Sequence, residues 1–346
     1  MTNDTSYHAT VGIDIAKNVF QVFKLTEDGE VSNKAVKRSD FLAQFQNCPR
    51  CLIGMEACGS SQYWARELQA LGHDVRLMHP KAVKQFVKGF KNDRNDAEGI
   101  HRALINGVRA VTVKTPRIRD IDTLLTMRDK LIRDKTKTVN HVRGILSEYG
   151  IVMNKSVTAF MKNVGASVTE LESQDDVCPA VVLQIKSSLE DIRKTIDQIK
   201  EIDKQLEALA KETKNYERFK TAPGVGPVTA AMLCVLLADP SLFRNGRQFA
   251  AYLGLAPMSF GSGGKNIVCS IPKRSGNIAV RALMVQCAHS IARNSYPSGW
   301  VESILKRKPK KVAVIAIANR LARQLWSMAK KGEDWKKQFV LAAVDK

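Results

Sequence analysis

Long apolar runs are missing from this 346-residue chain, and a helix that crosses a bilayer needs about 20 consecutive apolar residues. The opening Met1-Thr-Asn-Asp-Thr-Ser6 lacks the charged-then-apolar order of a secretion signal. Cysteine is sparse and out of rhythm. The seven, at 48, 51, 58, 178, 234, 269 and 287, are odd in number and show no disulfide-framework spacing, so reduced thiols of the cytosol explain them best. Cys48-Pro-Arg-Cys51 has zinc-like spacing, but no second pair completes a tetrahedral site, and it precedes a strand where a redox motif would open a helix. Ordinary packing is the better reading of that pair. The six histidines also lack ligand spacing.

Negative charge is the other shortage: 34 Asp and Glu stand against 54 Lys and Arg, a formal net charge of +20. Such an excess points to a polyanionic partner, because each neutralised phosphate releases condensed counterions. A membrane surface is the competing partner, but neither a spanning segment nor a signal supports it. The expected setting is the cytoplasm, with no membrane partner and nucleic acid as the target.

What is present begins with alternating elements over the first 110 or so residues. Strands are expected at 9–15, 19–25 and 30–36, with Glu27-Asp28-Gly29 as a hairpin turn. A short helix follows Ser39, then a strand over Cys51-Leu-Ile-Gly-Met-Glu56 and a helix from Ser60 to Leu71 stopped by Gly72. A strand at 74–78 and a helix from Pro80 lead to the helix Asp93-Arg-Asn-Asp-Ala-Glu-Gly-Ile-His-Arg-Ala-Leu104. Three hairpin-ordered strands followed by alternating helix and strand is a ribonuclease H-like order. In that order Asp14 on the first strand, Glu56 ending the fourth, and Asp93 and Asp96 on the last helix converge. Asp93 and Asp96 are three apart and share a helical face. Four clustered carboxylates are costly unless a hard divalent cation neutralises them, which predicts Mg²⁺ or Mn²⁺ at all four.

Thr115-Pro116 is a boundary, giving expected domains at 1–115, 116–215 and 216–346. Apolar residues recur at helical spacing over 118–149, and a polar stretch follows to about Pro179. Ile185, Leu189, Ile192, Ile196, Ile199 and Leu206 then step by alternating fours and threes, the seam of a coiled coil or a long antiparallel hairpin. A helix packed on its own domain has the same pattern. In the last third, Thr221-Ala-Pro-Gly224-Val-Gly226-Pro feeds a helix N-terminus and resembles the hairpin of a helix-hairpin-helix element, where bare N–H groups suit a phosphate. A plain helix cap is the alternative. Gly261-Ser262-Gly263-Gly264-Lys265 reads as a glycine-rich loop, with Ser262 a possible nucleophile or simply part of a surface turn. Lys265, Lys273, Arg274 and Arg281 are candidate phosphate contacts, with solvated surface as the alternative, and Lys306-Arg-Lys-Pro-Lys-Lys311 is the densest positive cluster.

These pieces resemble the DEDD-type insertion-sequence transposases, the group that includes the Piv-type DNA invertases. The residues that carry the resemblance run in order along nearly the whole chain. They are Gly12-Ile-Asp14-Ile-Ala-Lys17, Met55-Glu56-Ala-Cys-Gly59 with Tyr63-Trp64-Ala65, and Lys91-Asn-Asp93-Arg-Asn-Asp96-Ala-Glu98. Further on come Pro223-Gly-Val-Gly226, Ala250-Ala-Tyr-Leu-Gly-Leu-Ala-Pro257 and Ser262-Gly-Gly-Lys265.

The resemblance implies a RuvC-like first domain whose Asp14, Glu56, Asp93 and Asp96 bind metal. It implies a coiled-coil middle that assembles dimers into tetramers, and a mainly helical transposase domain whose catalytic serine maps to Ser262. It also implies a prokaryotic recombinase, nucleoid-associated when active, guided by a bridge RNA that pairs with donor and target DNA. One stretch departs from the pattern: where the family runs Lys-Arg-Gly-Asn, this chain has Lys273-Arg274-Ser275-Gly276-Asn277, which makes Ser275 a rival nucleophile. Two alternatives stay open: a metal-dependent junction nuclease that uses water, and a nucleic-acid-binding protein without catalysis.

Overall fold

The computed structural model describes residues 7–90, 92–262, 265–268, 270–271, 276–293 and 299–335. Two compact units are present: the segment up to Pro116 together with Ala238–Arg244, and Arg117–Leu237 together with the segment from Asn245.

The first unit is a mixed six-stranded sheet, β1 Ala9–Ile15, β2 Val19–Thr26, β3 Val31–Lys37, β4 Cys51–Glu56, β5 Asp74–Met78 and β6 Ala110–Val111, in the order β3-β2-β1-β4-β5-β6. β1, β2 and β3 are antiparallel, β4 lies parallel to β1 and β5 parallel to β4. The hairpin turn holds Gly29 at φ 84°, a left-handed conformation that glycine adopts without steric cost. β6, a two-residue strand antiparallel to β5, has no signal in the sequence because so short a piece carries no periodicity.

Side chains alternate across the sheet, and each face is covered by helix. Val11 and Ile13 of β1 and Ile53 and Met55 of β4 face a core with α1 (Ala43–Gln46) and α2 (Ser61–Ala70). Phe20, Phe41 and Trp64 lock there edge to face, with ring centroids 4.7 to 5.3 Å apart. α3 (Pro80–Val83) continues into a 3-10 turn at Lys84–Phe86, and α4 (Asp93–Ile105) covers the opposite face with Ile100, Ala103 and Leu104. The segment Ala238–Arg244 joins this unit through the Arg109 guanidinium, 4.2 Å from the centre of the Phe243 ring. Cys48 and Cys51 pack with sulfurs 3.7 Å apart, and burial pushes the Cys51 thiol up to about 12, which makes it an inert core residue.

The second unit begins with α5 (Pro116–Glu148), α6 (Val157–Glu172) and α7 (Pro179–Lys211). Arg117 pairs with Glu212 and Arg128 with Asp203, so α5 and α7 run antiparallel. α6 occupies the stretch that reads as polar in sequence. Its Phe160, Val164, Val168 and Leu171 are buried at helical spacing, an apolar stripe diluted by the polar residues around it. Ile185, Leu189 and Ile192 of the α7 seam are spent in the same core, against α5 and α6 of their own chain.

α8 (Tyr216–Lys220) and α9 (Pro227–Leu236) follow, then α10 (Gly246–Tyr252). A hairpin of β7 (Ser259–Ser262) and β8 (Lys265–Val268) stands where the sequence suggests a loop. α11 (Ile278–Arg293), α12 (Gly299–Arg307) and α13 (Lys310–Lys331) complete the unit, with α13 packed on α10 and α11. No helix among the described residues is long and apolar enough to cross a membrane.

Phe20→Ala empties the centre of the aromatic lock and is expected to destabilise the first unit by about 3–5 kcal/mol. Chemical denaturation checks this; a loss near zero would place the core elsewhere.

Candidate active site

Two glycines prepare the site. Gly12 of β1 and Gly54 of β4 are register partners in the parallel pair, and both face α4. A Cβ on Gly12 would fall on the Ala97 carbonyl oxygen and within 2.6 Å of the His101 nitrogen. One on Gly54 would lie 3.0 Å from Met78 Cε and 3.1 Å from Leu104 Cβ. α4 therefore beds onto bare backbone. Two residues on from each glycine, on the same face, come Asp14 and Glu56. One helical turn back from the Gly12 contact come Asp93 and Asp96, in the first turn of α4.

This phasing brings the four carboxylates into one another's field. Burial pushes Asp14 from 3.8 up to about 6, and the charges of Asp96, Asp93 and Glu56 push in the same direction. Asp14 and Asp96 are half-buried, and Asp93 is exposed. Cys58 lies in the same field: burial raises its thiol, then Glu56 and Asp14 add to the rise.

Polar side chains hold α4 to the sheet. Asn92 caps the helix by accepting from the Asn95 N–H at 2.8 Å. Gln21, the register partner of Asp14 and almost fully buried, donates to Asn33 Oδ1 at 2.6 Å. Asn33 in turn donates to the Arg94 carbonyl at 3.1 Å, which links β2, β3 and the first turn of α4. His101 sits 2.8 Å from Thr10 Oγ1 with its ring against Phe23, and burial pulls it below the ordinary histidine value, so it stays neutral.

The other expected site residues belong to the second unit. Ser262 and Lys265 pair at the closed end of the β7–β8 hairpin; Lys273, Arg274 and the rival Ser275 lie outside the described residues. Gly224, at φ 72°, abuts the backbone of Cys287, with a hypothetical Cβ 2.6 Å from its carbonyl oxygen. The missing side chain at Gly224 is thus used inside the protein, in seating α11. Gly226 caps α9 with open space beside it, and Arg281 lies in the first turn of α11.

Known proteins share this arrangement of sequence. A transposase model of the DEDD, IS110 type matches residues 11–151, and the model for the transposase IS116/IS110/IS902 family matches residues 216–299. A probable family 20 transposase of Pseudomonas aeruginosa is 34% identical over 92% of this chain and 96% of its own length. The transposase for insertion sequence element IS1328 of Yersinia enterocolitica is 33% identical over 93% of this chain and 97% of its own. A pilin gene-inverting protein of Moraxella lacunata is 27% identical over 59% of this chain and 70% of its own. The chain belongs to the IS110/IS116 family of DEDD transposases.

DEDD transposases are typically metal-dependent, and four hard carboxylate donors suit Mg²⁺ or Mn²⁺. The mutual field on Asp14 fits a site designed for a cation. Among the described residues, no three His, Cys, Asp or Glu side chains close on one point as a finished cage. Donor chemistry and electrostatics, rather than a closed cage, are what suit this cluster to a metal. Sequence reading missed Gly12, Gly54, Gln21, Asn33 and His101 as members of this site. The repeated Gly-x-acid spacing, Gly12-Ile-Asp14 and Gly54-Met-Glu56, was the available signal for the glycines.

Two outcomes follow. Gly12→Ala forces α4 off the sheet and is expected to cost about 1–3 kcal/mol and to abolish DNA processing; a stable, active variant would refute the seating. For Asp14, the folded protein retains a proton that the unfolded chain releases between 3.8 and about 6, so its contribution to stability falls as pH rises through that window. In chelator, Asp14→Asn should melt above the wild type at neutral pH and show no gain below the lower limit. Mg²⁺ should then raise the melting temperature of the wild type more than that of the variant. Equal Mg²⁺ shifts would remove Asp14 from the ligand set.

Proposed function

We propose that this insertion-sequence transposase cuts and rejoins donor and target DNA through a covalent phosphoserine. The observation that carries the reading is the gathering of four acids from three separate elements, felt at Asp14, which burial first and then Asp96, Asp93 and Glu56 push up. The strand order β3-β2-β1-β4-β5, its first three members antiparallel, supports a ribonuclease H-like, RuvC-like domain over 1–115. In this reading 116–215 assembles the oligomer. With part of the α7 seam spent inside the chain, assembly into dimers and tetramers falls to the outer helix faces. Residues 216–346 form the transposase domain, where the short-helix, turn, helix order of α8, Thr221–Gly226 and α9 supports a helix-hairpin-helix-like contact with DNA.

A divalent ion bound by Asp14, Glu56, Asp93 and Asp96 would supply Lewis-acid withdrawal of charge from the scissile phosphate. Ser262 supplies the nucleophile: its oxygen forms a bond to phosphorus, the bridging DNA oxygen leaves, and the hydroxyl proton ends on that oxygen. The ester so formed retains the phosphodiester's energy, so attack by another strand's hydroxyl rejoins DNA and restores the serine without ATP. Lys265, Lys273, Arg274 and Arg281 are the candidate phosphate contacts in this reading. A bridge RNA reads sequence by base pairing, and the protein reads shape and backbone.

The test incubates the full protein with donor and target DNA, Mg²⁺ and RNA transcribed from the DNA flanking the gene, and resolves the products on denaturing gels. The expected product is a protein–DNA adduct that is lost in Ser262→Ala and in Asp14→Ala. An adduct that persists in Ser262→Ala overturns the assignment of the nucleophile. Free ends without adduct convert the enzyme to a hydrolytic nuclease, and unchanged DNA to a binding protein.

A further inference from the structure

The second unit contains a cleft of about 1550 Å³ between the start of α10, the segment around Ser270 and Ile271, and one face of α13. It is larger than the roughly 300–1,000 Å³ of a small-molecule pocket, so it suits an extended occupant. Its construction is rigid. Gly246 at the start of α10 lies so close to α13 that a Cβ there would sit 2.8 Å from the Arg323 carbonyl oxygen. Asn319 of α13 donates to the Leu255 carbonyl at 3.0 Å.

The lining combines two chemistries. Trp300 and Trp326, two of the chain's four tryptophans, stand with aliphatic residues of α13, and Arg247, Lys311, Arg320 and Arg323 add four cations. Among the described residues, no Asp or Glu lines the cleft. The Arg320 guanidinium carbon lies over the Trp300 ring, 4.5 Å from its centre, a cation–π contact. Burial, then the neighbouring Arg323, pulls Arg320 below its ordinary value, the mark of cations gathered close together.

We propose that this cleft receives an unpaired stretch of DNA, with bases against the tryptophan and arginine planes and phosphates on the arginines and Lys311. This rests on the reading of the chain as a DNA strand-exchange enzyme, whose reaction frees unpaired strands. A duplex offers only its phosphates, since its base faces are stacked inward, and so engages only the charged half of the lining. Unpaired bases satisfy both halves of the lining, because every base has a flat face to stack. An acidic amphipathic peptide is the competing occupant; it would use the charges but has no need of stacked planes.

The test measures binding of the full chain to fluorescein-labelled oligothymidylate, to a duplex of equal length, to oligouridylate and to an oligoglutamate peptide. It is run in EDTA, so that neither the carboxylates nor Ser262 enter the readout and a failure of the recombination chemistry leaves it intact. Trp326→Leu and Trp300→Leu are each expected to weaken oligothymidylate binding about tenfold and duplex binding less than twofold. Arg323→Gln, at an exposed position, should lower the slope of log affinity against log salt on the single strand by about 0.7 without moving the melting temperature. It guards against a tryptophan variant that fails to fold. Oligothymidylate affinity unchanged in all three variants overturns the proposal, as do equal losses on single strand and duplex. Tighter oligouridylate than oligothymidylate binding overturns the choice of DNA, and displacement of oligothymidylate by oligoglutamate at lower concentration overturns the choice of nucleic acid.

Discussion

The contact of α4 with the bare backbone at Gly12 and Gly54 is the constraint on which the acidic cluster depends. Two periodicities are phased by it. Along the strands a period of two places Asp14 and Glu56 on the face of their glycines, and along the helix a turn separates Ala97 from Asp93. A slip of β1 by one residue would turn Asp14 to the aromatic core, and a shift of α4 by one residue would rotate Asp96 away from it. The remaining devices serve the same contact: the Gln21–Asn33–Arg94 chain, the His101–Thr10 bond and the packing of Gly99 against Val87.

Electrostatics explains how the cluster is tolerated. Asp93 and Asp96 occupy the first turn of α4, where the partial positive charge of the helix N-terminus favours carboxylates by roughly 0.3–1 kcal/mol each. Asp14 sits on a strand, with no such dipole to lean on, and is half-buried as well. The penalty is therefore concentrated on Asp14, and the structure holds it there through backbone contacts that do not involve charge. Sites where a fold stores such a conflict are where chemistry is expected.

Much of this was legible in the amino-acid order. The runs at Ala9–Ile15, Cys51–Glu56 and Asp74–Met78 are apolar enough to declare themselves as strands, and Asn92 ahead of two aspartates marks the start of α4. The order of those elements was enough to put four acids together. What the sequence withheld was tertiary. A glycine that admits a helix looks like any other glycine, and nothing in the order of residues shows that Gly224 also seats α11. The α7 seam reads as a partner-seeking stripe because a seam covered by helices of its own chain, here α5 and α6, has the same spacing as one covered by a partner. The glycine-rich run at 261–265 reads as a loop because cross-strand pairing, unlike helical spacing, leaves no mark within one short segment.

An overall positive chain that also carries a cluster of acids has a consequence for how the proposed reaction would handle DNA. At long range the chain presents +20, and a polyanion is drawn in over a screening length of about 10 Å at moderate salt. At contact with the four carboxylates the same phosphate meets repulsion, so basic surface alone would hold DNA away from them. On the proposed reading capture and chemistry are separate: cations such as those around Trp300 and Trp326 would collect the strand, and a divalent ion among Asp14, Glu56, Asp93 and Asp96 would make close approach favourable. A chain working this way would bind DNA without metal yet need the ion to bring a phosphate to its acids, a guard against cutting before the site is complete.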